Sequence, residues 1–393
     1  MEAPFTKGTV MSSPGKYKVI GNTATVWRPK IWEDVIGQDL ATRALRGMLK
    51  SGKLKQAFLF EGAHGCGKTT SARLFAATVN CKDPNGANPC GKCSVCKSMF
   101  NDPPTHPDYL EMDGSSFGGV DSIRALQDFV KFKPRTNLRF IAIDECQGLS
   151  PQAQGALLKL YENPPEHVII IILTTNAQGL IGTILSRAYK VKFATAKSDD
   201  NVTIMRKVVD SEGVKIPNDA LSAIANSCGN HTRDCLNSLS YVIDQMRFDP
   251  KIVQSIKAEP EQAIAEMLDM PPYKLVVDFC TSMLCGKKVR MLQALKQSPN
   301  KVYMLKSAQE LLSNILYTLI SDKLAPSGYA KYDVDKIIKL AKADKSYVKA
   351  LAKLTSELAT VQLKVSQYTV NAEHASIGLL VKYVDLFNGG DNE

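Results

Sequence analysis

The segment Gly62-Ala63-His64-Gly65-Cys66-Gly67-Lys68-Thr69 constrains this chain more than any other part of it. It follows an apolar run, Ala57–Phe60, and leads directly into the helical pattern Thr70–Val79. Glycines here let a loop curl until its backbone N–H groups converge on one point, and the start of a helix adds positive potential there. A strand, a glycine-rich turn and a helix in that order form a cradle for phosphate oxygens. Lys68 is placed to neutralise the outer phosphates of a nucleoside triphosphate, and Thr69 to ligate Mg²⁺ through its hydroxyl.

Such a cradle needs a parallel sheet around it, and the sequence supplies the pattern. From about Trp27 to Lys197 short apolar runs alternate with helical stretches, which predicts a parallel α/β sheet with helices on both faces. The expected strands are Ala57–Phe60, Tyr109–Met112, Arg139–Ile143, Val168–Thr174 and Lys190–Phe193. Val168–Leu173 is apolar at every position, as a strand covered on both faces must be. The run Phe140–Ile143 ends in Asp144-Glu145. This puts one carboxylate where a Mg²⁺ shell would lie and a second where it would polarise an attacking water. Thr174-Thr175-Asn176 ends the next strand, so Thr175 and Asn176 are expected beside the same phosphate, with loop capping as the plainer role for Asn176.

Beyond Lys197 the alternation changes. Ser198 to about Arg247 reads as a small helical unit, and from Phe248 onward only helical stripes remain. Two of them are Leu305/Ala308/Leu312/Ile315/Leu319 and Leu351/Leu354/Leu358/Val361, separated by the break Pro326-Ser327-Gly328. The expected division is 1–24 as an N-terminal extension, 25–197 as the nucleotide-binding domain, 198–247 as a helical lid, 248–387 as a helical domain and 388–393 as a tail. A chain of 393 residues with 44% apolar and 22% charged content excludes a disordered or collagen-like protein. The longest apolar run falls far short of the ~20 residues that span a bilayer, and the first residues lack a secretory pattern, so the expectation is a cytoplasmic protein without a membrane partner. The net charge of +10 suits a polyanionic partner. Most of that excess lies in residues 280–353, with 14 Lys/Arg against 5 Asp/Glu, as a solubilising or partner-binding surface.

Four of the ten cysteines stand apart as Cys81-x8-Cys90-x2-Cys93-x2-Cys96, with Pro84, Asn85, Gly86 and Pro89 supplying turns between them. Two overlapping CxxC steps bring three thiolates around one tetrahedral ion, and Cys81 closes the shell. Four sulfurs with no open position predict a structural Zn²⁺ in an insert spanning 81–96, with an iron–sulfur cluster as the alternative. Cys66, Cys146, Cys228, Cys235, Cys280 and Cys285 read as free thiols.

Taken in order, these residues resemble the gamma/tau-type ATPase subunits of the bacterial DNA polymerase III clamp loader, an AAA+ family. The resemblance is carried by Trp27-Arg28-Pro29, Asp34-Val35-Ile36-Gly37-Gln38, the glycine-rich loop, the four cysteines and Ala142–Glu145. It continues through Leu157-Leu158-Lys159, Glu162–His167, Thr174-Thr175, Ile184-Leu185-Ser186-Arg187 and Arg233-Asp234, and so runs from about Trp27 to Asp244. It implies that Arg28, Pro29, Val35 and Ile36 line the adenine pocket. It implies also that Arg187 completes a neighbouring subunit's site and that Arg233, opening a lid helix, reads nucleotide in its own. The helical domain then corresponds to the family's oligomerising collar. Two places depart from the family pattern: Ala188 replaces a cysteine, and Gly229-Asn230-His231-Thr232 replaces a run of small residues. The chain ends soon after the collar region, as in a short, gamma-like form of bacterial or phage origin.

The function so implied is that of an ATP-driven motor subunit in a hetero-oligomeric, pentameric ring that loads a sliding clamp on primer–template DNA. Its cofactors would be ATP, Mg²⁺ and Zn²⁺. Helix Val120–Phe129 with Lys131, Lys133, Arg135 and Arg139 is the candidate DNA surface, gripping phosphates with little sequence preference, with a solvated loop as the alternative for those four basic residues. A branch-migration or repair motor of the same fold class is the first alternative, and a nucleotide-binding scaffold without turnover the second.

Overall fold

The computed structural model describes residues 23–116, 119–229, 231–285, 287–320 and 345–366. The segments 1–22, 326–328 and 388–393, Asn230 and the side chain of Val361 lie outside the described residues. The chain divides into two compact units.

The first unit comprises the described residues up to Gly213 together with Cys228–Ser240. Its centre is a parallel sheet of β1 (Ala57–Glu61), β2 (Tyr109–Asp113), β3 (Arg139–Asp144), β4 (Val168–Thr174) and β5 (Tyr189–Lys192), ordered β2-β3-β4-β1-β5. Each of the five expected strands is present, shifted at its ends by at most one residue. The fold is the expected parallel α/β sheet with helices on both faces. β4 is the middle strand and every residue in it is buried, which accounts for its unbroken apolar run.

Strand periodicity sorts side chains to two cores. Phe58, Phe60, Phe140, Ile169 and Ile171 point to one face, where they meet Trp32 and Leu45 and pack against Phe75. The Phe58 and Phe75 rings meet edge to face at 5.5 Å, and Phe75 meets Phe140 likewise at 5.8 Å. Leu59, Ile141, Ile143, Ile170 and Ile172 point to the other face, against Leu126, Leu157, Tyr161 and Ile184. The helices of this unit are α1 (Thr23–Val26), α2 (Asp39–Ser51), α3 (Lys68–Asn80), α4 (Ser94–Met99), α5 (Val120–Phe129), α6 (Pro151–Glu162), α7 (Gly182–Arg187) and α8 (Ser198–Glu212). Because β1 lies beside β4 and not β2, the chain leaves β1 through α3 and crosses to the far edge. Register places Asp113 opposite Asp144, and Glu61 opposite Thr174, so the polar strand ends gather on the edge from which the glycine-rich loop emerges.

The second unit holds Val214–Ser227 and the described residues from Tyr241 onward. It is helical: α9 (Asn218–Ser227), then α10 (Thr232–Phe248), whose first residues belong to the other unit, α11 (Pro250–Ala258), α12 (Pro260–Met267), α13 (Tyr273–Leu284), α14 (Lys288–Gln297), α15 (Lys301–Ile320) and a last described helix, Lys345–Ser366. Its core joins Phe279 and Met283 to Leu295, Leu305, Ala308, Leu312, Ile315, Leu351, Leu354 and Leu358, so both stripes face inward, with Leu319 partly buried. Among the described residues no helix is long and apolar enough to cross a membrane.

One expected surface residue is corrected. Arg139 is buried, not presented to DNA: its guanidinium donates to the carbonyls of Phe129 (2.6 Å), Phe132 (2.8 Å) and Lys133 (3.2 Å), lies 3.5 Å from Asp108 and stacks on the Phe129 ring. An arginine opening a strand that pairs on one side with β2 and on the other with β4 is drawn into the sheet, where its donors end the α5 loop. Lys131, Lys133 and Arg135 remain exposed.

Candidate nucleotide site and metal centre

Between β1 and α3 the chain makes two left-handed turns, Gly65 at φ +71° and Gly67 at φ +99°, a region that L side chains seldom enter. Gly62 is required for a different reason: a Cβ there would stand 2.6 Å from the Phe193 carbonyl oxygen. The loop is therefore pressed on the end of β5 and α3 starts at Lys68 itself. The Lys68 ammonium is buried and donates to the carbonyls of Gly62 and Ala63, each at 2.8 Å.

Thr69, the next residue, donates its hydroxyl to Asp144 Oδ2 at 2.8 Å, across from the end of β3. A hydroxyl and a carboxylate side by side form the hard-oxygen pair that Mg²⁺ takes in part, keeping water and phosphate oxygens for the rest. Glu145 adopts φ +46°, unusual for a residue with a side chain, with its N–H bonded to Asp144 Oδ1 at 2.9 Å. The chain thus reverses directly after Asp144. The Glu145 carboxylate accepts from Thr175 Oγ1 at 3.1 Å and from Gln147, and lies 3.8 Å from His64 Nδ1.

A cavity of about 700 Å³ opens over these groups, within the size of small-molecule sites. His64, Gly65, Cys66, Gly67, Lys68, Thr69, Thr70, Asp144 and Glu145 form one end. Thr25, Arg28, Pro29, Val35, Ile36, Ile204 and Leu236 line it as well, together with the charged Asp34, Arg73, Asp102 and Glu111. Arg233 also lines it, with Nη1 3.3 Å from His64 Nε2. Burial, then the nearby Arg73, push the Arg28 guanidinium below its ordinary value, and burial pushes the Cys66 thiol up.

The remaining expected residues lie elsewhere. Gly62 and Ala63 bond Lys68 through their carbonyls and are not part of the cavity wall. Thr175 reaches the site only through Glu145. Asn176 caps the short 3₁₀ turn Ala177–Gly179, accepting from Gln178 N at 3.0 Å, the plainer of its two expected roles. Arg187 ends α7, away from this cavity, with Nε 2.8 Å from Glu162 Oε1. Reasoning from sequence missed Gln147, which ties Glu145 to Thr174 (2.6 Å) and Thr175 (3.0 Å), and Arg73, which grips Glu111 with two bonds of 2.8 and 2.7 Å. Neither belongs to a spacing motif, so the sequence carries no signal for them.

Cys81, Cys90, Cys93 and Cys96 converge, their sulfurs all within 4.8 Å of one another. Four of the separations are 3.5, 3.6, 3.9 and 4.0 Å. Zinc–sulfur bonds of ~2.3 Å place the corners of a tetrahedron about 3.8 Å apart. The N–H groups of Cys90, Cys93 and Cys96 point at the sulfurs of Cys81, Cys90 and Cys93 at 3.2–3.4 Å, an arrangement that favours thiolates.

Residues 37–197 match the family model described as DNA polymerase III, delta subunit. The chain is 39% identical over 219 residues to DNA polymerase III subunit tau of Bacillus subtilis, covering 56% of this chain and 38% of that protein. It is 32% identical over 222 residues to DNA polymerase III subunit gamma of Buchnera aphidicola, covering 56% of this chain and 61% of that one. A 28% identity over 348 residues, 86% of this chain and 27% of the relative, links it to the protein STICHEL of Arabidopsis thaliana. The match thus spans less than two thirds of each of these three relatives. Over the matched region the chain is similar to the tau and gamma subunits of DNA polymerase III, and that likeness stops short of the rest of its length.

Proposed function

We propose that this chain is an ATP-hydrolysing motor subunit of a clamp loader, acting with other subunits to place a sliding clamp on primer–template DNA. The observation that carries the reading is the set Lys68, Thr69, Asp144 and Glu145 around one cavity, in a chain whose relatives are named as polymerase III subunits. Lys68 and the N–H groups of Gly65–Thr69 hold the phosphates, while Arg28, Pro29, Val35 and Ile36 take the base. Thr69 and Asp144 would hold Mg²⁺, which supplies charge neutralisation between the outer phosphates. Glu145, oriented by Thr175 and Gln147, aligns the attacking water and takes its proton. Arg233 reads the nucleotide from its own chain, and Arg187 acts on the site of the adjoining subunit.

In this reading residues 25–197 are the motor domain, 198–247 the lid and 248–387 the collar that holds a pentameric ring together. Cys81, Cys90, Cys93 and Cys96 bind one structural Zn²⁺. Lys131, Lys133 and Arg135 remain available to DNA phosphates, whereas Arg139 does not. The test is the ATPase rate with and without primed DNA and the cognate clamp. Stimulation by the pair is expected, and an unchanged rate would overturn the clamp-loader reading in favour of another motor of the same fold.

A further inference from the structure

The four-cysteine module is wired to the cavity wall around Arg28 and Trp32–Ile36 by two separate side chains. The first is Asn88, in the loop between Cys81 and Cys90. That loop is closed by a pair of backbone bonds between Asn85 and Asn88 at 2.9 and 3.0 Å, around Gly86 at φ +62°. Asn88 Oδ1 accepts from the Trp32 N–H at 2.9 Å, and its amide donates to Glu33 Oε2 at 2.7 Å. Ala87, Val95 and Met99 of the module share one core with Trp32 and Val35. The second is Asp102, just beyond α4, whose first turn carries Cys96. Asp102 accepts from Arg73 Nη1 at 2.9 Å and lies 4.0 Å from Arg28 Nη2, so it links the cavity-lining Arg28 to the helix that starts at Lys68.

We propose that the cysteine module braces the base end of the cavity, fixing Trp32–Ile36 through Asn88 and Arg28 through Asp102, so that metal occupancy sets the affinity for the base moiety of the nucleotide. The inference rests on the nucleotide and zinc readings above. The phosphate end has bonds of its own, from Lys68 to the Gly62 and Ala63 carbonyls and from Thr69 to Asp144, and the module reaches it along α3. Loss of the brace is therefore felt more by the base than by the phosphates.

The experiment compares full-length wild type, Asn88→Ala and Asp102→Asn by calorimetric titration with a non-hydrolysable ATP analogue and with inorganic triphosphate, alongside zinc content. Asn88 is not a metal ligand, so zinc per chain should stay at the wild-type value. Its two lost hydrogen bonds should weaken analogue binding about tenfold while triphosphate binding is unchanged, which also reports an intact fold. Chelated wild type should show the same selective loss. Equal losses for both probes, unchanged analogue affinity in Asn88→Ala, or full analogue affinity after chelation would each overturn the brace. Wild type that binds neither probe would instead overturn the nucleotide reading beneath it.

Discussion

Lys68 and Glu145 reach the same cavity from different elements, one at the first turn of α3 and one just past β3, and their substitutions should fail in different ways. In the proposed function Lys68 contributes charge directly to phosphate, and charge-assisted bonds of this kind are about twice as strong as neutral ones. Lys68→Ala should weaken binding of a non-hydrolysable analogue by roughly tenfold to a hundredfold and abolish turnover. Glu145→Gln preserves the shape and the contacts to Thr175 and Gln147 but removes the proton acceptor. Nucleotide should then bind near wild-type affinity and persist unhydrolysed. Equal loss of binding in both variants, read by titration, would remove Glu145 from the role assigned here. The left-handed backbone at Glu145 is the residue-scale feature that no motif announces, and it aims the carboxylate at the cavity.

At the scale of elements, α7 and the cysteine loop each carry a prediction. α7 ends in Arg187, half exposed and paired with Glu162 outside the chain's own cavity. An arginine that stabilises charge on a neighbour's transferred phosphoryl group contributes ~10³–10⁵ in rate. In mixed assemblies, chains carrying both Arg187→Ala and Lys68→Ala should depress hydrolysis in unmutated partners below that seen with Lys68→Ala chains alone. Identical DNA-stimulated rates in the two mixtures would make Arg187 an ordinary surface residue. A lysine should not restore the effect, because it lacks the planar fork. For the cysteine loop, elemental analysis should find one Zn²⁺ per chain, and Cys93→Ser should release it and lower thermal stability while triphosphate binding persists. Iron in place of zinc, or no metal at all, would overturn that assignment.

Across the whole molecule, stability should carry an acid limb traceable to carboxylates held by hydrogen bonds and arginines. Burial works to raise the Asp108 carboxyl, but the N–H groups of Arg135 and Thr136 and the Thr136 hydroxyl outweigh it and hold it low. Asp102 is likewise held low against burial, chiefly by Arg73. A depressed native value stabilises the fold fully above the unfolded value of ~3.9 and ceases to do so as pH falls through the native one. Asp108→Asn should therefore melt several degrees below wild type at pH 7, by about 3 °C or more, and the gap should narrow toward pH 3. A gap independent of pH would show that Asp108 contributes by shape alone. Local pattern was enough to read the strands, the phosphate loop, the Asp144-Glu145 strand end and the cysteine cluster, because each is written in spacings of a few residues. Arg139 was misread for the same reason: a single charge says nothing of the strand pairings that bury it. Gln147, Arg73, Asn88 and Asp102 act across 28, 38, 56 and 29 residues of chain, to Thr175, Glu111, Trp32 and Arg73. Sequence alone determined the chemistry available to this protein, since residue type and local spacing settle which groups can hold a phosphate or a metal. Only the tertiary structure decided which of them meet, because strand order and helix packing bring together side chains that no local period connects.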